Sequence, residues 1–223
     1  MNSPIKNMKK QKGFTLIEIA IVLVIIGLLV GGVLQGQELI ENSRVKQAAK
    51  DMNGTAAAMF AYQDRYKRLP GDDGNAAALT ARGASWTGVI AGDLDGTLDV
   101  DLAGTFVGAT ESQAFWQQLR AAGFIAGNPA DTAQLALPVN AWGGFMGVTT
   151  AAMGGALEGT KVCQSQVPGS SALALDNELD DGLGATGNLR ATLGVSATNT
   201  APTNTALAAV YNEDNVYTVC YRI

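Results

Sequence analysis

The chain begins with a long apolar run close to its N-terminus. From Phe14 to Leu34 the residues read FTLIEIAIVLVIIGLLVGGVL, and Glu18 is the single charged residue among these 21 positions. At a helical rise of about 1.5 Å per residue, this length spans roughly 30 Å, the thickness of a bilayer's hydrocarbon core. The pattern therefore predicts a membrane-spanning helix over residues 14–34.

The helical pattern continues beyond this apolar run. A stripe of mostly apolar residues recurs at intervals of three and four, and it consists of Val45, Ala49, Met52, Ala56, Met59 and Gln63, widened by Ala48 and Phe60. Leu69-Pro70-Gly71 predicts the end of the helix, because proline disfavours a helical residue before it and glycine permits a turn. We expect one helix from Phe14 to about Arg68, roughly 80 Å long, whose second half over residues 35–69 is amphipathic.

Residues 70–223 provide enough chain for one globular head with its own core. Helical spacing predicts two short helices, at Ser112–Ala122 and Ser170–Leu179. Strand candidates are Ser85–Ala91, Gly144–Thr149, Leu157–Gln164 and Val216–Ile223, and the last of these alternates apolar and polar residues. The polar run at 196–205 predicts an exposed loop. The expected fold class is α+β, with the long transmembrane and amphipathic helix packed on a C-terminal antiparallel sheet.

Charge is distributed unevenly along the chain. The sequence holds 15 Lys and Arg, 20 Asp and Glu and no His, for a net charge of −5. Residues 1–13 contain four lysines and no acid, so they contribute +4 and the rest of the chain contributes −9. Because basic residues before an apolar helix stay on the cytoplasmic side, we expect everything after Leu34 to lie outside the cytoplasm.

Composition excludes or disfavours several classes of function. Without histidine, the chain has no imidazole to act as a general base or as a zinc ligand. Its acidic balance disfavours nucleic-acid binding. Residues 182–187 fit the G-x-G-x-x-G pattern, but acidic residues precede them where a pyrophosphate would be repelled, so we interpret them as a loop. We expect neither an enzyme nor a nucleic-acid partner.

Glu18 needs an explanation, because an isolated carboxylate within a bilayer costs about 3 kcal/mol by insertion scales. An ordinary secretory signal has a shorter apolar core followed by an A-x-A cleavage site, and no such site comes directly after Leu34, at residues 35–38. A plain signal anchor fits the length of the run but gives Glu18 no partner. Cleavage between Gly13 and Phe14 would place a new α-amino group four residues before Glu18, within one helical turn, where the two charges can neutralise each other.

The sequence KGFTLIE at residues 12–18, after a short basic leader and before a long apolar helix, resembles the class III signal of type IV pilins and pseudopilins. The resemblance covers about the first 70 residues. It implies that residues 1–13 are a leader peptide, removed after Gly13 by a membrane prepilin peptidase. It also implies that Phe14 is N-methylated, and that Glu18 pairs with the Phe14 amine of an adjacent subunit during assembly.

The resemblance further implies a structural subunit, a pilin or minor pilin, of a type IV pilus-like filament. Its partners would be the prepilin peptidase, other pilin subunits, the assembly machinery of the inner membrane and the lipid bilayer. The precursor would lie in the inner membrane with a periplasmic head, and the mature form in a cell-surface or periplasmic filament. A type II secretion pseudopilin is one alternative, and a membrane-anchored periplasmic binding domain that does not polymerise is another.

The only two cysteines, Cys163 and Cys220, fall in two of the predicted strands. The expected topology places both in an oxidising compartment, where one disulfide bond can form. Many pilins carry a disulfide in the C-terminal part of the head, and the resemblance implies the same here. Two unpaired core cysteines are the alternative.

The densest acidic stretch surrounds Gly96 and contains Asp93, Asp95, Asp99 and Asp101. Alternating carboxylates around a glycine can converge on a hard cation, so these four residues form a candidate calcium site. The alternative is a polar turn whose aspartates cap local backbone groups. A second acidic group, Asp176, Asp180 and Asp181, is open to the same two interpretations. No cofactor other than calcium is expected.

Overall fold

The chain divides into two units, Met1–Glu41 and Asn42–Ile223. The computed structural model describes residues 13–155 and 157–223. The longest helix, α1, extends from Leu16 to Tyr66 and belongs to both units. In the second unit, α1 packs on a four-stranded antiparallel sheet, so the predicted α+β class is confirmed.

Helix α1 starts two residues after the predicted start at Phe14 and ends two residues before the predicted end at Arg68. The C-terminal end falls where it does because Lys67 has a φ of 55°, which an α-helix does not accommodate. Pro70 follows three residues later and prevents the helix from resuming. The prediction of one continuous helix is therefore confirmed, with its ends shifted inward.

In the first unit, the apolar side chains of α1 are exposed. None of the most apolar stretch of the helix is buried. Among the described residues, α1 is the one helix that is long and apolar enough to cross a membrane. Such a surface needs lipid or other apolar chains around it, because exposure to water is unfavourable.

In the second unit, one face of α1 contributes to the core. Its buried residues are Val45, Ala48, Ala49, Met52, Thr55, Ala58, Met59 and Tyr62. The predicted stripe is buried at most positions, but the assignment of Phe60 to it is wrong, since this residue is 55% exposed. The buried face includes Thr55 and Tyr62 instead, and Phe60 lies outside it.

The sheet has the order β1-β2-β4-β3, and every neighbouring pair is antiparallel. Its strands are β1 Met146–Thr149, β2 Lys161–Pro168, β3 Leu189–Leu193 and β4 Val216–Arg222. Gln164 in β2 connects the sheet to α1, because its Nε2 donates a hydrogen bond to the backbone oxygen of Ala48 at 3.1 Å. Neighbouring side chains on a strand point to opposite faces, so Cys163 lies on the face away from α1.

The predictions of β1 and β4 are confirmed, and β2 begins four residues later than the predicted start at Leu157. The shift arises because Leu157 and Met153 exchange backbone hydrogen bonds of 3.2 Å in a turn, and because Gly159 has a φ of 88°. β3 was not predicted. It lies at the edge of the sheet and pairs only with β4 among the described strands.

The predicted strand at Ser85–Ala91 is wrong. Residues Ala84–Trp86 form a 3-10 turn, and Gly88 then has a φ of 81°, which interrupts any extended run. Trp86 is buried against the aromatic rings of Tyr62 and Tyr66, with centroid distances of 6.3 and 5.5 Å. Tertiary packing of this tryptophan therefore decides the local conformation.

In the described part of the chain, three further α-helices follow α1: α2 Ala76–Thr80, α3 Thr110–Ala121 and α4 Gly169–Leu179. The two predicted helices are confirmed as α3 and α4, while α2 was not predicted. Two more 3-10 turns lie at Ala103–Phe106 and Ala133–Ala136. The polar run 196–205 contains no helix or strand, as predicted.

A buried polar network joins the end of α1 to the chain that follows it. Asp73 Oδ2 accepts hydrogen bonds of 2.6 Å from the hydroxyl of Tyr62 and from the guanidinium of Arg82. The side chain of Asp73 is almost fully buried, and the Arg82 guanidinium lies over the rings of Tyr66 and Trp86. Removing one member of such a network is expensive, because the buried groups that remain lose their hydrogen-bond partner.

We predict that Asp73→Ala destabilises the second unit by about 3 kcal/mol, because it leaves the buried Tyr62 hydroxyl and the Arg82 guanidinium without the carboxylate that both contact. This corresponds to a decrease of roughly 6–12 °C in the thermal midpoint, measured by near-UV circular dichroism on the full chain in detergent. Asp64→Ala is the matched control, since Asp64 pairs with Lys67 on the exposed surface at 2.9 Å. The control should change the midpoint by less than about 2 °C; equal effects of the two variants would contradict the prediction.

Candidate functional sites

Thr15 and Glu18 form a reciprocal set of hydrogen bonds at the start of α1. Glu18 Oε2 accepts hydrogen bonds from the backbone N–H of Thr15 at 2.7 Å and from its hydroxyl at 2.9 Å. The backbone N–H of Glu18 donates to Thr15 Oγ1 at 3.3 Å. This arrangement is a capping box, which satisfies backbone donors that have no partner within the helix. The Thr-x-x-Glu spacing alone would have predicted it.

The peptide bond between Gly13 and Phe14 lies directly before this cap. Neither residue belongs to α1, and Phe14 is 84% exposed. Apart from its chain neighbours, no described atom lies within 4 Å of the position that a Cβ on Gly13 would take. Among the described residues, none therefore blocks the access of an enzyme to this peptide bond. Residues 1–12, which hold the four lysines of the expected leader, lie outside the described residues.

Cys163 and Cys220 form a disulfide bond, as expected. They are direct cross-strand partners in the antiparallel register of β2 and β4, and both are fully buried. The bond joins the two central strands of the sheet on the face away from α1. It closes a long stretch of chain, since the two cysteines are 57 residues apart in the sequence.

The acidic stretch around Gly96 brings together three of its four predicted residues. One carboxylate oxygen each from Asp93, Asp95 and Asp99 lies within 4.8 Å of the others, and all three residues are exposed. Asp95 Oδ1 accepts hydrogen bonds from the backbone N–H and the hydroxyl of Thr97, which lower the pKa of Asp95. Asp101 Oδ1 accepts instead from the backbone N–H of Gly104 at 2.6 Å. The calcium assignment of these residues stays a prediction.

A second group of carboxylates, which sequence spacing did not reveal, consists of Asp72, Asp93 and Glu111. One oxygen from each lies within 4.8 Å of the others, although the three residues are far apart in the sequence. Asp72 follows the turn after α1, and Glu111 lies in the first turn of α3. Asp72 is 1% exposed and Glu111 8% exposed, whereas Asp93 is at the surface. We call these three residues the buried carboxylate cluster.

Close backbone packing positions this cluster. A Cβ on Gly92 would lie 2.3 Å from the Cα of Asp72, so only glycine allows the two segments to approach this closely. Burial raises the pKa of Asp72 and that of Glu111, and the nearby charge of Asp93 raises both pKa values further. The cluster therefore concentrates negative charge where its carboxylates are poorly solvated.

The acidic group at Asp176, Asp180 and Asp181 has the opposite character, because its carboxylates already hold local hydrogen bonds. Asp176 accepts from the hydroxyl of Tyr211 at 2.6 Å, and Asp181 from that of Thr186 at 2.5 Å. Asp180 Oδ2 accepts from the backbone N–H groups of Asn188 and Leu189. These contacts shape residues 182–187 as a loop between α4 and β3, so the interpretation of G-x-G-x-x-G as a loop is confirmed.

Residues 8–34 match a family model described as the prokaryotic N-terminal methylation motif. The match contains Gly13, Phe14 and Glu18 together with the apolar part of α1 that follows them. The chain therefore carries the signal of type IV pilins and pseudopilins, as the sequence resemblance predicted. A comparison with curated proteins finds no match.

This motif indicates a structural subunit rather than an enzyme. It also implies processing by a prepilin peptidase and assembly with other pilins. Together with the exposed apolar helix, it marks the chain as a membrane-anchored precursor.

We predict that replacing both cysteines by alanine destabilises the head by up to about 4 kcal/mol in the chain-entropy model, because the unfolded chain regains freedom. The measurement is the thermal midpoint of the Cys163→Ala, Cys220→Ala double variant in detergent. As a control, a reducing agent under unfolding conditions should lower the wild-type midpoint and leave that of the variant unchanged. Identical midpoints for the oxidised wild type and the variant would show that the bond does not contribute.

Proposed function

We propose that this chain is the precursor of a pilin or minor pilin of a type IV pilus-like filament. Prepilin peptidase cleaves it after Gly13, Phe14 is N-methylated, and the mature subunit assembles from the inner membrane. The N-terminus of the precursor lies in the cytoplasm and the head in the periplasm. The observation that carries the proposal is the methylation motif at residues 8–34, whose described part leads into an apolar helix with no buried side chain in its most apolar stretch.

The exposed apolar face of α1 supports polymerisation. Lipid covers this surface in the membrane-anchored precursor, and neighbouring copies of the same segment would cover it in a filament. Transfer from lipid to other helices gains little from the hydrophobic effect alone, since lipid tails are as apolar as leucine. Close packing and polar contacts between helices must therefore drive assembly.

Glu18 is the polar group best placed for such a contact. Its carboxylate is held by Thr15, the residue next to Phe14, so cleavage after Gly13 would create an α-amino group close to it. A charged amine and a carboxylate form a stronger hydrogen bond than two neutral groups do. The Thr15 hydrogen bonds hold one oxygen of Glu18 before cleavage, and the Phe14 amine of the same or an adjacent subunit would neutralise the charge of Glu18 afterwards.

A type II secretion pseudopilin would share every one of these features. Detection of surface fibres by electron microscopy would favour the pilus, whereas loss of protein secretion on deletion, with no fibres, would favour the pseudopilin. A membrane-anchored domain that never polymerises would show neither.

We predict that Gly13→Leu blocks processing, because a bulky side chain at the cleaved bond obstructs the peptidase. The precursor should then accumulate at its full length on a denaturing gel, with at least a tenfold lower yield of the mature band. Gly36→Leu is the matched control, since a Cβ at Gly36 also meets no described atom within 4 Å. Normal processing of Gly13→Leu would contradict the proposal.

We predict that Glu18→Gln and Glu18→Ala both insert into the membrane and both enter filaments at least tenfold less than the wild type. The two variants separate the roles of Glu18, because glutamine can maintain the capping box with Thr15 but carries no charge. The measurement compares the sheared filament fraction with the membrane fraction by immunoblot. Wild-type filament yield from Glu18→Gln would show that hydrogen bonding suffices and that charge neutralisation is not required.

A further inference from the structure

The buried carboxylate cluster of Asp72, Asp93 and Glu111 contains an oxygen atom without a hydrogen-bond partner. Asp72 Oδ2 accepts a hydrogen bond from the backbone N–H of Gly96 at 3.1 Å. Asp72 Oδ1 is buried and accepts none from any described residue. A buried carboxylate oxygen in this state is costly unless a proton or a cation satisfies it.

Glu111 is fixed in the cluster in the same way as Asp72. Its Oε2 accepts a hydrogen bond from the backbone N–H of Asp99 at 2.5 Å, which orients the carboxylate from the first turn of α3. The two buried carboxylates are therefore each held by an amide of the loop that also carries Asp93. Three acidic groups from three segments meet within 4.8 Å, where like charges repel one another strongly.

We propose that Asp72, Asp93 and Glu111 bind one calcium ion, which connects the turn after α1, the loop around Gly96 and the start of α3. All three ligands offer oxygen, the donor that hard cations prefer. Calcium suits the cluster better than magnesium, because it accepts irregular arrangements of carboxylates and loses its water more readily. This site differs from the exposed group that sequence spacing suggested, although the two share Asp93.

A comparison with the group at Asp176, Asp180 and Asp181 supports the choice of the buried carboxylate cluster as the calcium site. In that group, local hydroxyl and amide donors occupy carboxylate oxygens of all three residues. In the buried carboxylate cluster, Asp72 offers a free oxygen at a position that is 1% exposed. The acidic character is similar in the two groups, but only the buried carboxylate cluster has a buried carboxylate oxygen without a partner among the described residues.

The test measures calcium binding to the full chain in detergent after treatment with EDTA, using calcium chloride as the probe. We expect one ion per chain by equilibrium dialysis. Calcium at about 100 times its dissociation constant should raise the thermal midpoint of the head by roughly 5–10 °C. Magnesium chloride at the same concentration should raise it by less than half as much. No bound calcium, or an equal shift with magnesium, would overturn the proposal.

Two variants locate the site. Asp72→Asn and Glu111→Gln should each weaken calcium binding at least tenfold and remove most of the midpoint shift. In EDTA they should melt at or above the wild-type midpoint, because each removes one repelling charge while it retains the acceptor for its backbone hydrogen bond. A midpoint in EDTA well below the wild-type value, with calcium binding intact, would assign the residues a purely structural role.

Two control variants complete the design. Asp95→Asn alters the exposed group at the same loop and should weaken binding less than threefold. Asp181→Asn removes a surface charge from the second acidic group and should have no effect. If Asp95→Asn abolishes binding while Asp72→Asn preserves it, the ion belongs to the exposed loop, and the buried carboxylate cluster is not the site.

Discussion

A single carboxylate at the start of an apolar helix constrains the first unit of this chain. Glu18 is the only charged residue in the apolar run of residues 14–34, and an unpartnered carboxylate in lipid costs about 3 kcal/mol by insertion scales. Thr15 donates two hydrogen bonds to one oxygen of the Glu18 carboxylate through the capping box, but it leaves the negative charge in place. A new amino terminus at Phe14 would supply the opposite charge. The start of the helix, the cleavage signal and the proposed assembly contact therefore occupy the same few residues.

The second unit depends on a different set of interactions. One face of α1 contributes Met52 and Tyr62 to the core, and the Asp73–Arg82 pair holds the chain that follows the helix. The disulfide bond joins the central strands of the sheet. A disulfide bond suits a protein domain outside the cytoplasm, and the proposed calcium site would suit one as well, so both agree with the proposed orientation.

Features set by local sequence were predictable, and features set by distant contacts were not. The apolar run and its helical period defined α1, and alternation defined β4. The strand expected at Ser85–Ala91 failed because Trp86 packs against rings from α1, and β3 was missed because its edge position depends on pairing with β4. Asp72 and Glu111 meet only after the chain folds, so no local spacing could reveal them, whereas the Thr15–Glu18 cap was readable from its spacing.

Mass spectrometry of the native protein extracted from membranes tests the central claim most directly. We expect a chain that starts at Phe14 and carries one added methyl group on its α-amino nitrogen. That result would place a positive terminus beside Glu18, as the account requires. A native chain that still carries residues 1–13, or one that is cut at another bond, would contradict it.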